Sequence, residues 1–300
     1  MKKKTYLFAL MAMALTLGSC SDNENGIGGE TSKYITVSTS IGNMTRVATD
    51  ANGGQTFEEG DEISVYAWTG DATVAPETRE RVVNNAINKL TNGSWVSTPQ
   101  MLWKNNRDKH YFIGVYPTAA ISDLSAGEYT FNETKQVESD LLVAVNKDGL
   151  SYNVDEPQTV PLTFTHVMAK LAVNLTYKNQ WGGIPTVKKV VVGNAAKEAT
   201  INYLTKVVTP SATAKEDFSL PEITENTKYV SVIIPQEEVK QLTIVIGGKN
   251  FVYDNGTPFK LESGKITTVN LEVGRDEIKL GDVKITNWED GSTFSGEALN

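Results

Sequence analysis

The stretch ITTVNLEV, residues 266–273, decides the fold class. Val269, Leu271 and Val273 fall on one side of an extended chain, Asn270 and Glu272 on the other. Successive side chains of a strand point to opposite faces, so a two-residue apolar period marks a strand with one face buried. The same period recurs upstream. Ile35, Val37, Thr39 and Ile41 alternate with Thr36, Ser38 and Ser40, and Ile63, Val65 and Ala67 repeat the pattern. Apolar runs at 110–116, 141–145, 160–177, 187–192, 229–234, 242–246 and 251–253 read as further strands. Turn chemistry separates them: Asn92-Gly93, Asp148-Gly149, Gly247-Gly248, Asp254-Asn255-Gly256 and Ser263-Gly264. The segments 79–90 and 237–242 hold a short helix at most. Many short strands with turns between them predict an all-β chain of antiparallel sandwiches. The polar, proline-bearing Asp155-Glu156-Pro157-Gln158 is the best boundary. It divides a first domain, 47–157, from a second, 158–300, with the strand at 34–41 completing the first. No short-period repeat points to a solenoid or propeller.

The start of the chain has a different character. Lys2, Lys3 and Lys4 precede an apolar run from Tyr6 to Leu17. As a helix that run is about 18 Å long, short of the roughly 30 Å of a bilayer core. Charge followed by a short apolar stretch is the pattern of a secretory signal, read here as residues 1–19. Leu17-Gly18-Ser19-Cys20 is similar to a bacterial lipobox, with cleavage between Ser19 and Cys20 and acylation of Cys20. Residues 20–46 then form a lipid-bearing tether and propeptide. Ser21-Asp22-Asn23-Glu24 resembles the acidic surface-export signal of lipoproteins in the Bacteroidetes, and the glycines from Asn25 to Glu30 suit a solvated spacer.

Cys20 is the chain's single cysteine, so acylation leaves none for disulfides, thiolate catalysis or a cysteine-based zinc site. The precursor's formal net charge of −8 becomes −11 once the three N-terminal lysines leave. Such a chain repels phosphate backbones, and no basic cluster follows the signal, so nucleic acid is excluded as a partner.

No catalytic constellation or cofactor site emerges, and the expectation is a protein that is not an enzyme. His110 and His166 each lie in a strand-like run without a second ligand at metal spacing, which points to structural histidines. There is no GxSxG elbow, HExxH helix or phosphate loop. Glu58, Glu59, Asp61 and Glu62 crowd around Gly60 but lack the alternating oxygen ligands of a calcium loop, so a solvated turn is expected and no metal. Trp68, Trp95, Trp103, Trp181 and Trp288 are scattered and read as core filling.

Several stretches, in order, resemble the fimbrillin-like lipoprotein pilins of the Bacteroidetes. Thr45-Arg46 is followed by Phe57-Glu58-Glu59-Gly60-Asp61-Glu62-Ile63-Ser64-Val65-Tyr66, similar to the family's opening. DKHYFIGVYP at 108–117 resembles its aromatic strand ending in Tyr-Pro. DLLVA at 140–144 and LTFTHVMAKL at 162–171 resemble its central signature, and Ile285-Thr286-Asn287-Trp288 with Gly291 its close.

The resemblance implies two tandem transthyretin-like β-sandwich domains and a structural subunit of a surface fimbria that supports adhesion. It further implies a lipoprotein precursor held at the outer membrane through Cys20, then cut by a trypsin-like protease after an early arginine. Here the matching bond is Arg46–Val47, in a polar, loop-like context; an ordinary loop arginine is the other reading. Cleavage would remove the strand carrying Tyr34, Ile35, Val37, Thr39 and Ile41. Another subunit would then fill the groove by strand exchange. The candidate donor carries Ile278, Leu280, Val283 and Ile285, with Gly281-Asp282 breaking the alternation; an ordinary last strand of the second domain is the alternative. Two rival roles remain at this point. One is a lipid-retained anchor or minor tip subunit; the other is a surface glycan-binding lipoprotein. The bacterial or host ligand is not legible in the residues.

Overall fold

The computed structural model describes residues 33–42, 56–136, 139–153, 155–156 and 158–288, with backbone alone at 255–257. Among these residues strands dominate, as the alternation predicts, and the sheets pack as β-sandwich layers. The first sheet has seven strands in the order β1-β8-β7-β5-β2-β3-β4. These are β1 (Thr36–Ile41), β2 (Glu62–Thr69), β3 (Arg81–Thr91), β4 (Ser94–Thr98), β5 (His110–Tyr116), β7 (Leu142–Leu150) and β8 (Thr159–His166). One face of this sheet, with Ile63, Val65, Ala67, Phe112, Ala144, Leu162 and Phe164, closes around Ile35, Val37, Met101 and Trp103. The opposite face of β2, β5 and β7 is also apolar: Tyr66, Trp68, Ile113, Val115 and Val143 join a second, larger core.

Two further sheets enclose that second core. One has four strands, in the order β13 (Lys215–Leu220), β10 (Val187–Ala196), β16 (Gln236–Ile246) and β17 (Lys249–Leu261). The other has five: β14 (Glu222–Thr224), β15 (Lys228–Ile233), β9 (Ala169–Tyr177), β18 (Lys265–Val273) and β19 (Ile278–Asn287). Val190, Leu242 and Ile244 of the first meet Leu171, Val173 and Val269 of the second in one apolar layer, the arrangement of a sandwich. A small sheet, β12 (Val207–Pro210), β11 (Glu198–Asn202) and β6 (Gly127–Thr130), completes the set. The stretch 266–273 lies in β18, parallel to β9 and antiparallel to β19. Its Val269, Leu271 and Val273 are fully buried.

Of the two segments read as holding a short helix at most, 237–242 is strand, and 79–90 is strand from Arg81 onward after a single 3-10 turn at Thr78–Glu80. In β3 the buried positions are Arg81, Val83, Ala86 and Asn88. A bulge, with Asn85 at φ 55°, inserts one residue and shifts the apolar phase, so a strand takes on a helix-like spacing. In β16 two bulges place Gln236, Val239 and Leu242 inward at spacings of three, the same disguise. The long run 160–177 is two strands divided at Val167-Met168. The first of them, β8, pairs with β1 and β7 in the seven-stranded sheet; the second, β9, lies inside the five-stranded one.

Candidate functional site

β1 is the outermost strand of the seven-stranded order, and the three residues just before it are paired on its other side. Thr36 to Ile41 run parallel to Thr159 to Phe164 of β8, and Gly42 N–H donates to the Phe164 carbonyl at 2.8 Å. On the other side Tyr34 bridges Leu102 antiparallel. There Ile35 N–H donates to Met101 O at 2.9 Å, and Trp103 N–H to Lys33 O at 3.1 Å. β8 leans on β1 in turn. Its ladder with β7 covers only Phe164, Thr165 and His166, so among the described residues β1 is the sole ladder partner of Thr159–Thr163.

The side chains of β1 and of Ile35 just before it divide by face. Ile35 and Val37 are buried at 2% and 6% exposure, and Thr39 and Ile41 are half-buried on the same side. Thr36 and Ser40 face outward, within 3.2 Å of the hydroxyls of Thr159 and Thr163 respectively. The inward Thr39 has a directional partner: Trp95 Nε1–H donates to its hydroxyl oxygen at 3.0 Å. Below Ile41 lies an aromatic cluster. Phe57 makes edge contacts with Trp95, Tyr116 and Phe164, at centroid distances of 5.3, 5.3 and 5.1 Å. Phe164 fits against Gly114 so closely that a Cβ there would lie 2.6 Å from its ring. Exposing Ile35 and Val37 would cost about 1.5–3 kcal/mol each, before any unpaired backbone is counted.

The carboxylates at 58–62 close the turn that carries Phe57. Asp61 accepts from Glu58 N–H at 2.8 Å and from the Tyr116 hydroxyl at 3.3 Å. Glu59 accepts from Asn92 N–H at 2.7 Å, and Glu62 pairs with Lys89 at 3.0 Å. Burial and the neighbouring Asp61 charge push the Tyr116 hydroxyl up to about 12.

β19 is the edge of the five-stranded sheet and, among the described residues, pairs only with β18. The expected break at Gly281-Asp282 is a bulge. It sets Ile278, Leu280, Val283 and Ile285 opposite Val273, Leu271, Val269 and Thr267, so all four point to the same face. Val283 and Ile285 nevertheless remain 38% and 37% exposed. The strand is pinned at its end instead. Trp288 is 7% exposed and stacks on the His166 ring at 4.2 Å and 7°. Lys170 Nζ lies 4.0 Å from its centroid on a cation–π contact. Asp140 Oδ1 lies 3.0 Å from His166 Nδ1 and fixes that ring, while Trp288 N–H donates to Gly264 O at 3.1 Å. Burial pushes the Lys170 ammonium down to about 8, and the Asp140 charge pulls the other way.

His110 is also structural. Its Nε2 accepts from Lys104 N–H at 3.0 Å, its Nδ1 lies 3.1 Å from Asp108 O, and its ring meets Trp103 edge-on. The predicted processing residues Ser19, Cys20, Arg46 and Val47 lie outside the described residues. The predicted removable strand and predicted donor both form strands, at the ends of two different sheets, and are not brought together within one chain. Sequence reading missed Trp95 and Phe57 as partners of β1. It also missed the Trp288 clamp, although His166 and Lys170 both lie in the motif it had quoted.

With this geometry in hand, comparison with known proteins places the chain. The family model described as fimbrillin-like matches residues 45–288. The chain belongs to the fimbrillin-like family. No curated protein matches it. Among solved structures, a candidate cell adhesion protein from Bacteroides ovatus shares 17% identity and a TM-score of 0.64, over 85% of this chain and 97% of that one. One from Bacteroides uniformis shares 17% identity at TM-score 0.60, over 86% and 100%. A fimbrial protein from Bacteroides vulgatus shares 12% at 0.50, over 84% and 99%. At these identities the structures testify to the fold. Family membership supports a pilin-like, structural role in adhesion at the cell surface, in association with other subunits, and not an enzymatic one.

Proposed function

We propose that this fimbrillin-like chain is a fimbrial subunit assembled by protease-triggered strand exchange. The precursor travels to the surface as a lipoprotein held in the outer membrane through Cys20. A trypsin-like protease then cuts between Arg46 and Val47. We draw the boundary between the two sandwiches at Val167-Met168, counting β8 with the first, because β1 and β7 are its ladder partners.

One observation carries the proposal: β1 lies wholly N-terminal to Arg46 and is the only ladder partner of Thr159–Thr163 among the described residues. Cutting the chain there does not by itself expel β1. It converts a tethered strand, present at millimolar effective concentration, into a peptide that leaves at a finite rate. Once β1 has gone, unpaired backbone and the apolar trench of Ile35 and Val37 favour any strand that restores both. β19, at the edge of its sheet and with apolar residues at alternate positions, is the donor from a second copy.

Arg46→Ala is the direct test. Cells producing the variant are expected to lose the ladder of polymer bands and to accumulate lipid-bearing precursor. An unchanged ladder would overturn the proposal.

A further inference from the structure

The groove left by β1 reads more than hydrophobicity. Its inward positions call for two apolar side chains, at Ile35 and Val37, then a hydrogen-bond acceptor at Thr39 for the Trp95 indole N–H. The fourth position, Ile41, is half-buried and pairs with Phe164. Phe164 touches Phe57, and Phe57 touches Tyr116, whose hydroxyl donates to the Asp61 carboxylate at 3.3 Å. A cation is therefore favoured at that end over an anion.

Two registers of β19 place apolar, apolar and acceptor residues at spacings of two. One is Ile278, Leu280 and Asp282, followed by Lys284; the other is Val283, Ile285 and Asn287, followed by Glu289. Only the first ends on a cation. It also leaves Trp288 outside the groove. Resting on the exchange reading above, we infer that β19 of a second copy enters parallel to β8, with Ile278, Leu280, Asp282 and Lys284 at the places of Ile35, Val37, Thr39 and Ile41. Asp282 then accepts from Trp95, which makes that pair the register-setting contact between subunits.

The register demands a change of shape. Within its own chain β19 is bulged at Gly281-Asp282, where Asp282 accepts from Asn270 Nδ2 at 2.7 Å. In the groove the same residues run as a regular strand, so Asp282 turns from the outer side to the inner one and Val283 turns outward. Glycine at 281 makes that straightening sterically easy. The neutral acceptor Thr39 is replaced by a charged one, and a hydrogen bond to an ionised acceptor is the stronger kind. Lys284, two residues on, offsets the repulsion that Asp282 meets beside the Asp61 carboxylate, so the donor strand keeps that gain.

The test uses the full-length chain nicked at Arg46 with an arginine-specific protease, challenged with labelled peptides. The peptides are residues 34–42, residues 277–285 and residues 282–289, the second also as Asp282→Leu. Displacement of β1 and the indole N–H signal of Trp95 are followed together. The expected result is that 277–285 displaces β1, and that Asp282→Leu weakens it about tenfold, the effect of roughly 1.4 kcal/mol. That tenfold difference should vanish on Trp95→Phe protein, because the partner is gone. An equal loss on both proteins, or coupling of Trp95 to 282–289 instead, would overturn the register. Should even 34–42 fail to exchange, strand exchange itself is wrong.

Discussion

Replacing Phe164 with alanine is expected to destabilise the full chain by about 3–5 kcal/mol, the range for emptying a fully buried phenylalanine site. The ring is completely buried, touches Phe57 edge-on and fills the space opposite Gly114. Little can relax into the void, since Gly114 has no side chain to move. The ladder partners of Phe164 are Ile41 of β1 and Ala144 of β7, so the damage reaches the strand at issue. Denaturant unfolding should show a lower midpoint at unchanged slope. Phe164→Leu should recover more than half of the loss. A change under 1 kcal/mol for the alanine variant would mean that this cluster does not support the groove.

Removing the indole at Trp288 should act at the other end of the exchange. Trp288→Ala deletes a buried ring, its stack on His166 and its contact with the Lys170 ammonium. Buried tryptophan-to-alanine changes cost about 3–5 kcal/mol, but here the loss should be local. β19 hydrogen-bonds to β18 alone among the described strands, and Val283 and Ile285 in its second half are exposed, so the Trp288 end depends on this clamp. Amide hydrogens of 278–287 are expected to exchange about a hundredfold faster, the equivalent of roughly 3 kcal/mol, while β1 and the Thr159–Thr163 part of β8, away from the His166 stack, keep their protection. Trp288→Phe, which keeps a ring against His166, should show a smaller effect. Uniform acceleration across all the sheets would show that Trp288 is an ordinary core residue and not a local clamp.

Much of this fold is readable from side-chain periodicity, because the informative strands bury a single face. Val269, Leu271 and Val273 alternate without a break, and β18 follows their pattern. Where a bulge intervenes, the same rule misleads. Asn85 in β3 and the two irregularities of β16 imitate helical spacing, and no local signal distinguishes the two. The strands β4, β6 and β11 to β14 are short, and several are rich in serine, threonine, lysine or glutamate, so the apolar signal has little to act on.

The site was legible in its strands but not in its partners. Ile35, Val37 and Ile41 stand out by alternation, and Thr39 could be assigned to their face. That Trp95, from a strand 56 residues on, would donate to Thr39 depends on how the sheet closes. The Trp288 clamp likewise joins Asp140, His166 and Lys170 across 148 residues of sequence, a distance no local pattern spans. For Cys20 and Arg46 the relation is reversed: their roles are argued from sequence, since both lie outside the described residues.

The central claim is that the working subunit has lost β1. N-terminal sequencing and intact mass of the protein recovered from the bacterial surface test it most directly. The account predicts a chain beginning at Val47, free of lipid and of cysteine. A chain still beginning at acylated Cys20 would contradict it.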